Sequence, residues 1–243
     1  MDFRLFPLLF APFAGSFLGV LIARLPHGGM LAHARSVCGR CGAVLGLRDL
    51  LPIFSYLALR GRCRHCGGPI GAFHLWVELA AVAIAASACV LATDSAWLWA
   101  DCVLGWGLLA LAWIDAHTRL LPDALSLPLL AAGLAATAWL APDDIADHAL
   151  AAALGVTSFL AVAAGYRRLR GQEGLGMGDA KLMGVAGAWL GVAALPWVVF
   201  TAAGLGLLAA GAWRLSGRAL DRTTAIPFGP FLALAIWAIR LAG

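Results

Sequence analysis

Two carboxylates and four thiols are the residues of this chain whose types and spacing can do chemistry. The first carboxylate is Asp179, in the stretch Gly174-Leu175-Gly176-Met177-Gly178-Asp179-Ala180-Lys181-Leu182. It follows two glycines, which lack side-chain bulk and so let another chain come close, and it precedes a long apolar run. Asp is also a favoured helix N-cap, which is the structural alternative. The second is Asp115, in Trp113-Ile114-Asp115-Ala116-His117-Thr118-Arg119-Leu120-Leu121-Pro122-Asp123. It sits where an apolar helix ends, and there the helix dipole disfavours an anion. Pairing with Arg119 is its structural alternative, whereas Asp123, beside Pro122 at a helix start, is explained by position alone. Two close carboxyl groups cannot easily both ionise, so they share a proton. The ionised member can activate water and the protonated one can polarise a peptide carbonyl. That is the chemistry of aspartic proteolysis.

The thiols form two CxxC pairs, Cys38-Gly39-Arg40-Cys41 and Cys63-Arg64-His65-Cys66. The pairs stand about 21 residues apart, close to the spacing of four-cysteine zinc sites and slightly longer than usual. With all four positions filled by protein, such a site is structural. Free thiols are the alternative. Cys89 and Cys102 lie in apolar segments and read as small core residues.

The elements that must position these groups are membrane helices. Of 243 residues, 62% are hydrophobic and only 12% charged, against about 25% charged in soluble domains. With about 20 apolar residues per span as the template, eight segments emerge. They are Phe3–Ala23, Phe73–Ala92, Ala96–Ile114, Ala124–Ala141, Ala149–Gly165, Ala180–Leu195, Pro196–Trp213 and Ile226–Leu241. The first reads as a span rather than a cleaved signal peptide. Leu182 to Trp213 carries no charge and is too long for one span, so Pro196 is taken as the break.

Lys and Arg crowd the odd-numbered connections, from Arg24 to Arg64, at Arg119, from Arg167 to Lys181, and at Arg214, Arg218 and Arg222. The even-numbered ones, Thr93–Ser95 and Pro142–His148, carry none. The positive-inside rule therefore places the odd loops in the cytoplasm and both termini outside. Asp115 and Asp179 then share the cytoplasmic edge of the bilayer. A cytoplasmic loop disfavours disulfides, which favours zinc at the cysteines. Topology also explains the basic first loop, so no nucleic-acid partner is inferred. The expected fold is an all-α polytopic membrane protein of about eight transmembrane helices, with a cytoplasmic zinc-binding loop after the first. Its parts are a first helix over 1–23, the four-cysteine loop over 24–72 and a seven-helix core over 73–243.

With these residues assembled, the chain resembles the type IV prepilin peptidases, the bacterial branch of the GxGD intramembrane aspartyl proteases. The resemblance is carried by Gly15-Ser16-Phe17-Leu18 with Arg24-Leu25-Pro26, both CxxC pairs, Leu57 to Cys63, and Val77-Glu78-Leu79. Ile114-Asp115 with Leu121-Pro122-Asp123, Gly176-Met177-Gly178-Asp179 with Lys181-Leu182, and Ile226-Pro227-Phe228-Gly229-Pro230-Phe231 complete it. It implies that Asp115 and Asp179 are the catalytic pair of the core. It also implies a bacterial inner-membrane enzyme that removes the short basic leader from prepilins or type II secretion pseudopilins. Members often methylate the new N-terminus with S-adenosylmethionine, although no Rossmann-type glycine fingerprint is present. Gly19 and Gly39 depart from the family's usual Asn and Pro, and the first leaves the methyl-transfer half less secure than proteolysis.

Intramembrane carboxylates also suit an ion-coupled transporter. That reading calls for acids near the midplane and repeat symmetry, and neither is found here. A non-enzymatic scaffold with a zinc-bound docking loop would leave the paired aspartates unexplained.

Overall fold

The computed structural model describes residues 4–27, 35–91, 94–171, 176–216 and 227–242. Phe3, Ala92, Thr93, Gly174, Leu175 and Ile226, with the loop bases Arg218 and Arg222, lie outside the described residues.

Each expected apolar segment is a helix. They are α1 (Leu5–Arg24), α3 (Phe73–Leu91), α4 (Ser95–Thr118), α5 (Asp123–Leu140), α6 (Ile145–Arg170), α7 (Met177–Leu190), α8 (Leu195–Leu215) and α9 (Gly229–Ala242). A short α2 (Phe54–Ala58) lies within the cysteine loop. Among the described residues, six helices are long and apolar enough to cross a membrane. The other two, α7 and α9, have 14 residues each, fewer than the about 17–25 that a full span takes.

The break between the sixth and seventh segments falls earlier than Pro196. Gly191, at φ +77°, ends α7 in a backbone region that a Cβ disfavours. A single 3₁₀ turn (Val192–Ala194) then leads into α8. Pro196 sits in the first turn of α8, where its missing N–H costs nothing.

The chain forms two compact units, Met1–Ala110 and Leu111–Gly243, and α4 runs through the boundary. In the first, α1 packs along α3. Their backbones approach at Gly15, where a Cβ would lie 2.6 Å from the Cα of Glu78. Trp106 in α4 donates its indole N–H to the carbonyl of Ala81 at 3.0 Å, satisfying a polar group buried among apolar ones.

The second unit is built around α7. From Ala180 to Trp189 only Lys181 escapes burial, the signature of a helix enclosed on all sides. Small residues make this possible. A Cβ at Gly187 would collide with the backbone of Ala151 in α6, and one at Gly155 with the carbonyl of Met183. Trp189 donates to the carbonyl of Leu129 in α5 at 2.9 Å. At the far end, Asp147 of α6 accepts the N–H of Val192 at 3.0 Å, and His148 bridges Thr137 and the carbonyl of Ala188. The helix that carries Asp179 is thus held along its whole length.

Gly187→Leu should therefore cost at least the upper end of the about 1–3 kcal/mol typical of overpacking, read as a lower unfolding temperature in detergent. Gly204→Ala in α8, where a Cβ meets nothing within 4 Å, should leave that temperature unchanged or slightly raised.

Candidate functional site

Asp115 lies in the last turn of α4 and is 6% exposed. A buried carboxylate needs hydrogen-bond donors, and its Oδ2 accepts the N–H of Gly229 at 3.0 Å. That donor belongs to the first residue of α9, where helical N–H groups have no partner within the helix. A Cβ at position 229 would fall 2.6 Å from the same oxygen, so the contact requires glycine. In the sequence Gly229 stands out only as part of the stretch Pro227-Phe228-Gly229-Pro230-Phe231. Its signal was a glycine between Phe228 and Pro230 in an otherwise apolar stretch.

Asp179 stands in the first turn of α7, half-buried, and its Oδ2 accepts the N–H of Gly176 at 3.3 Å. It therefore supports the helix start from within the first turn, while Gly176 is the N-cap. This local bond leaves the carboxylate available to more than capping, because Asp179 lies near enough to Asp115 to feel its charge. Arg119 acts on Asp115 through space, but the two form no direct ion pair among the described residues. Arg64–Asp49 and Lys181–Asp123 are direct pairs. The second ties the first turn of α7 to that of α5.

The glycines before Asp179 differ in what they face. A Cβ at Gly178 would stand 2.8 Å from the Cβ of Leu121, in the turn that follows Asp115. The chain that comes close at Gly178 is thus the protein's own Asp115-bearing segment. A Cβ at Gly176 would meet Asp179 Oδ2 at 3.5 Å, an ordinary contact.

The four cysteines also converge. The Sγ atoms of Cys38, Cys41, Cys63 and Cys66 all lie within 4.8 Å of one another. A tetrahedral zinc with bonds of about 2.3 Å has sulfur edges of roughly 3.8 Å, so modest closure would complete the set. Each CxxC pair is a tight knuckle of the same design. Cys38 N–H bonds Ala43 O and Gly42 N–H bonds Cys38 O, both at 2.9 Å; Cys63 and Gly67 repeat this with Gly68 and Cys63 at 2.8 and 2.9 Å. Gly42 and Gly67 take φ +70° and +66°, a conformation that favours glycine. The Gly39 departure is harmless, since a Cβ there meets nothing within 4 Å.

Hydrogen bonds from the backbone at Cys41 and Arg40 lower the Cys38 thiol to about 6. The Ala43 backbone lowers Cys41, yet desolvation and the neighbouring thiols outweigh it and push that thiol up to about 11. One thiolate thus opposes the next, a conflict that a bound cation removes. Arg64 donates to Asp49 at 2.7 Å and is the main reason its carboxyl is held below the usual range, which fastens the second knuckle to the loop.

Cys89 and Cys102 are buried within α3 and α4. Glu78 is 6% exposed and accepts the N–H of Ile53 at 2.7 Å, tying the cysteine loop to α3.

Fold and site together define a polytopic helical membrane protein with a buried aspartate, a second one near enough to feel its charge, and a four-cysteine cluster. Residues 102–211 match the type IV leader peptidase family, and residues 9–92 match the bacterial peptidase A24 N-terminal domain. Among curated relatives, the prepilin leader peptidase/N-methyltransferase of Burkholderia pseudomallei (strain 1026b) is 42% identical over 86% of this chain and 67% of the relative. The protein of the same name from Pseudomonas aeruginosa is 35% identical over 100% of this chain and 91% of its own length. That of Dichelobacter nodosus is 34% identical over 97% and 90%. No solved structure matches. The chain belongs to the type IV leader peptidase family, and the ion-coupled transporter finds no support among these relatives.

Purified full-length protein should carry about one tightly bound divalent metal ion per chain, measured by elemental analysis. Cys63→Ser, removing the most buried thiol of the set, should lose the metal and lower the unfolding temperature.

Proposed function

We propose that this protein is an aspartic endopeptidase that removes the basic leader of prepilins or pseudopilins, with Asp115 and Asp179 as its catalytic pair. The observation that carries the reading is that two carboxylates on separate helices stand close enough for one to feel the other's charge, one fixed by a buried backbone donor and one half-buried. A water between them would lose a proton to the ionised carboxylate as its oxygen attacks the scissile carbonyl. The protonated partner would donate to the carbonyl oxygen, and the departing amine would take a proton back as the C–N bond breaks. The pair titrates as a unit, so its protons belong to neither residue alone.

The charge pattern of the loops supports a bacterial inner-membrane protein with the cysteine loop and both aspartates on the cytoplasmic side and the termini in the periplasm. A leader is hydrophilic and the segment after it apolar, so their junction rests at headgroup level, where this pair would stand. Residues 73–243 form the proposed protease core, 1–23 its preceding helix and 24–72 the metal loop, with zinc as the ion. The names of the relatives support a second activity, N-methylation of the amine that the cut exposes. S-adenosylmethionine would supply an electrophilic methyl group on a sulfonium.

Asp115→Asn and Asp179→Asn should each lower leader cleavage by roughly a thousandfold or more. The double variant should be little worse than either, because members of one catalytic unit are not additive. Near-normal cleavage by either single variant would refute the pair. Gly178→Ala should reduce cleavage by roughly tenfold through overpacking against Leu121. Leu121→Ala in the same chain should recover most of it, whereas Gly176→Ala should stay close to wild type. Failure of Leu121→Ala to rescue would mean that Gly178 serves the substrate instead.

A further inference from the structure

The first compact unit contains a cavity whose lining includes neither Asp115 nor Asp179. It measures about 580 Å³ and lies between α1, the start of α3 and the inner side of the cysteine loop. Sites for small molecules run to about 300–1,000 Å³, so it is large enough for a nucleoside-sized ligand. Its wall carries Ser16 from α1, Tyr56 from α2 and Glu78 from α3, with Leu50 and Leu59 among the apolar residues.

Glu78 is the unusual member. It is nine-tenths buried yet lines the cavity. Ile53 N–H and the Ser16 side chain donate to it, which orients the group and leaves acceptor capacity, since a carboxylate offers about four lone-pair positions. Ile53 holds φ +61° and ψ −54° to make this bond. That conformation is costly for a β-branched residue and persists only where the surroundings impose it. Gly61, at φ +67°, supports Tyr56, for a Cβ there would lie 2.9 Å from the tyrosine oxygen. The loop is therefore shaped around an oriented buried anion and an aromatic ring. Opposite charge is also present, since Arg24 and Arg35 contribute to the lining.

We infer that this cavity is the binding site for S-adenosylmethionine, with Glu78 facing the positive end of the cofactor. The inference rests on the reading that the chain methylates its cleaved product. The fit is chemical. The cofactor carries a sulfonium and an ammonium for an anion, a carboxylate for arginine, and an adenine for an apolar wall with a tyrosine ring. Gly19 stands one residue before Val20, which lines the cavity. A Cβ at Gly19 would collide with Nδ1 of His74, which is a lining residue. This chain thus places an imidazole beside the space that a side chain at position 19 would take.

The test is equilibrium binding of methyl-labelled S-adenosylmethionine, and separately of S-adenosylhomocysteine, to full-length protein in nanodiscs without pilin. Glu78→Gln keeps an acceptor for Ile53 but removes the charge. It should weaken S-adenosylmethionine by roughly tenfold or more, as loss of a charged hydrogen-bond partner does. The uncharged-sulfur product should be weakened distinctly less. Leu59→Trp, which fills the cavity, should weaken both, and thermal unfolding near the wild-type temperature checks that each variant folds. Wild-type affinity in both variants would overturn the cavity while leaving the methylation reading intact. Absence of methyl transfer by wild type onto a cleaved pilin would overturn that reading, and with it the site. Displacement of the cofactor by a basic leader peptide as readily as by S-adenosylhomocysteine would make the cavity a leader cleft and overturn the proposal.

Discussion

A carboxylate withdrawn from water has to be met by donors, and Asp115 is met by the backbone N–H of Gly229. Much of the second unit follows from that bond. The first residue of α9 must lie beside the last turn of α4, and it must lack a side chain. Asp179, on a third helix, lies near enough to feel the charge of Asp115 and bonds the N–H of Gly176 at the start of α7. The glycine at 178 permits this by admitting Leu121 at close range, and the Lys181–Asp123 pair holds the first turns of α7 and α5 together. Burial of the rest of α7 against α6 and α5 keeps that first turn from drifting. Asp115 and the first turn of α7 are thus each held from more than one side, as catalysis by the proposed pair would require.

Much of this was legible in the chain itself. Apolar length gave the eight helical segments, and the types and spacing of Asp115, Asp179 and the four cysteines singled them out before any fold was known. The rest depended on contacts that no local pattern encodes. Pro196 looked like the break between the sixth and seventh segments, but proline is tolerated in a first turn, and a left-handed Gly191 ended the helix instead. The glycines before Asp179 let another chain come close, and only the fold shows that at Gly178 this is the segment carrying Leu121. Gly229 acts through its N–H, which every residue but proline has, so its residue type announced only the absence of bulk.

The first unit applies similar economy to a different problem. Its two knuckles are matching turns, each ending in a left-handed glycine and closed by one antiparallel bridge, Val37 to Val44 and Arg62 to Pro69, and they bring four thiols together. Backbone donors at Cys41 and Arg40 lower one thiol to about 6, and a bound cation would favour the thiolate form of all four. A metal there would set the shape of the loop. The loop in turn places Ile53 against Glu78 and so forms one wall of the cavity. A metal there would therefore be coupled to the cavity through the backbone of a single segment.

The central claim is that Asp115 and Asp179 work as one proton-sharing pair. Its most direct test is the pH dependence of kcat/KM for leader cleavage by full-length protein in a bilayer. The account predicts a bell-shaped profile, with one limb for each macroscopic ionisation of the pair, unchanged when the metal is removed under conditions that keep the protein folded. A profile with a single ionisation, or one that vanishes with the metal while the fold persists, would contradict it.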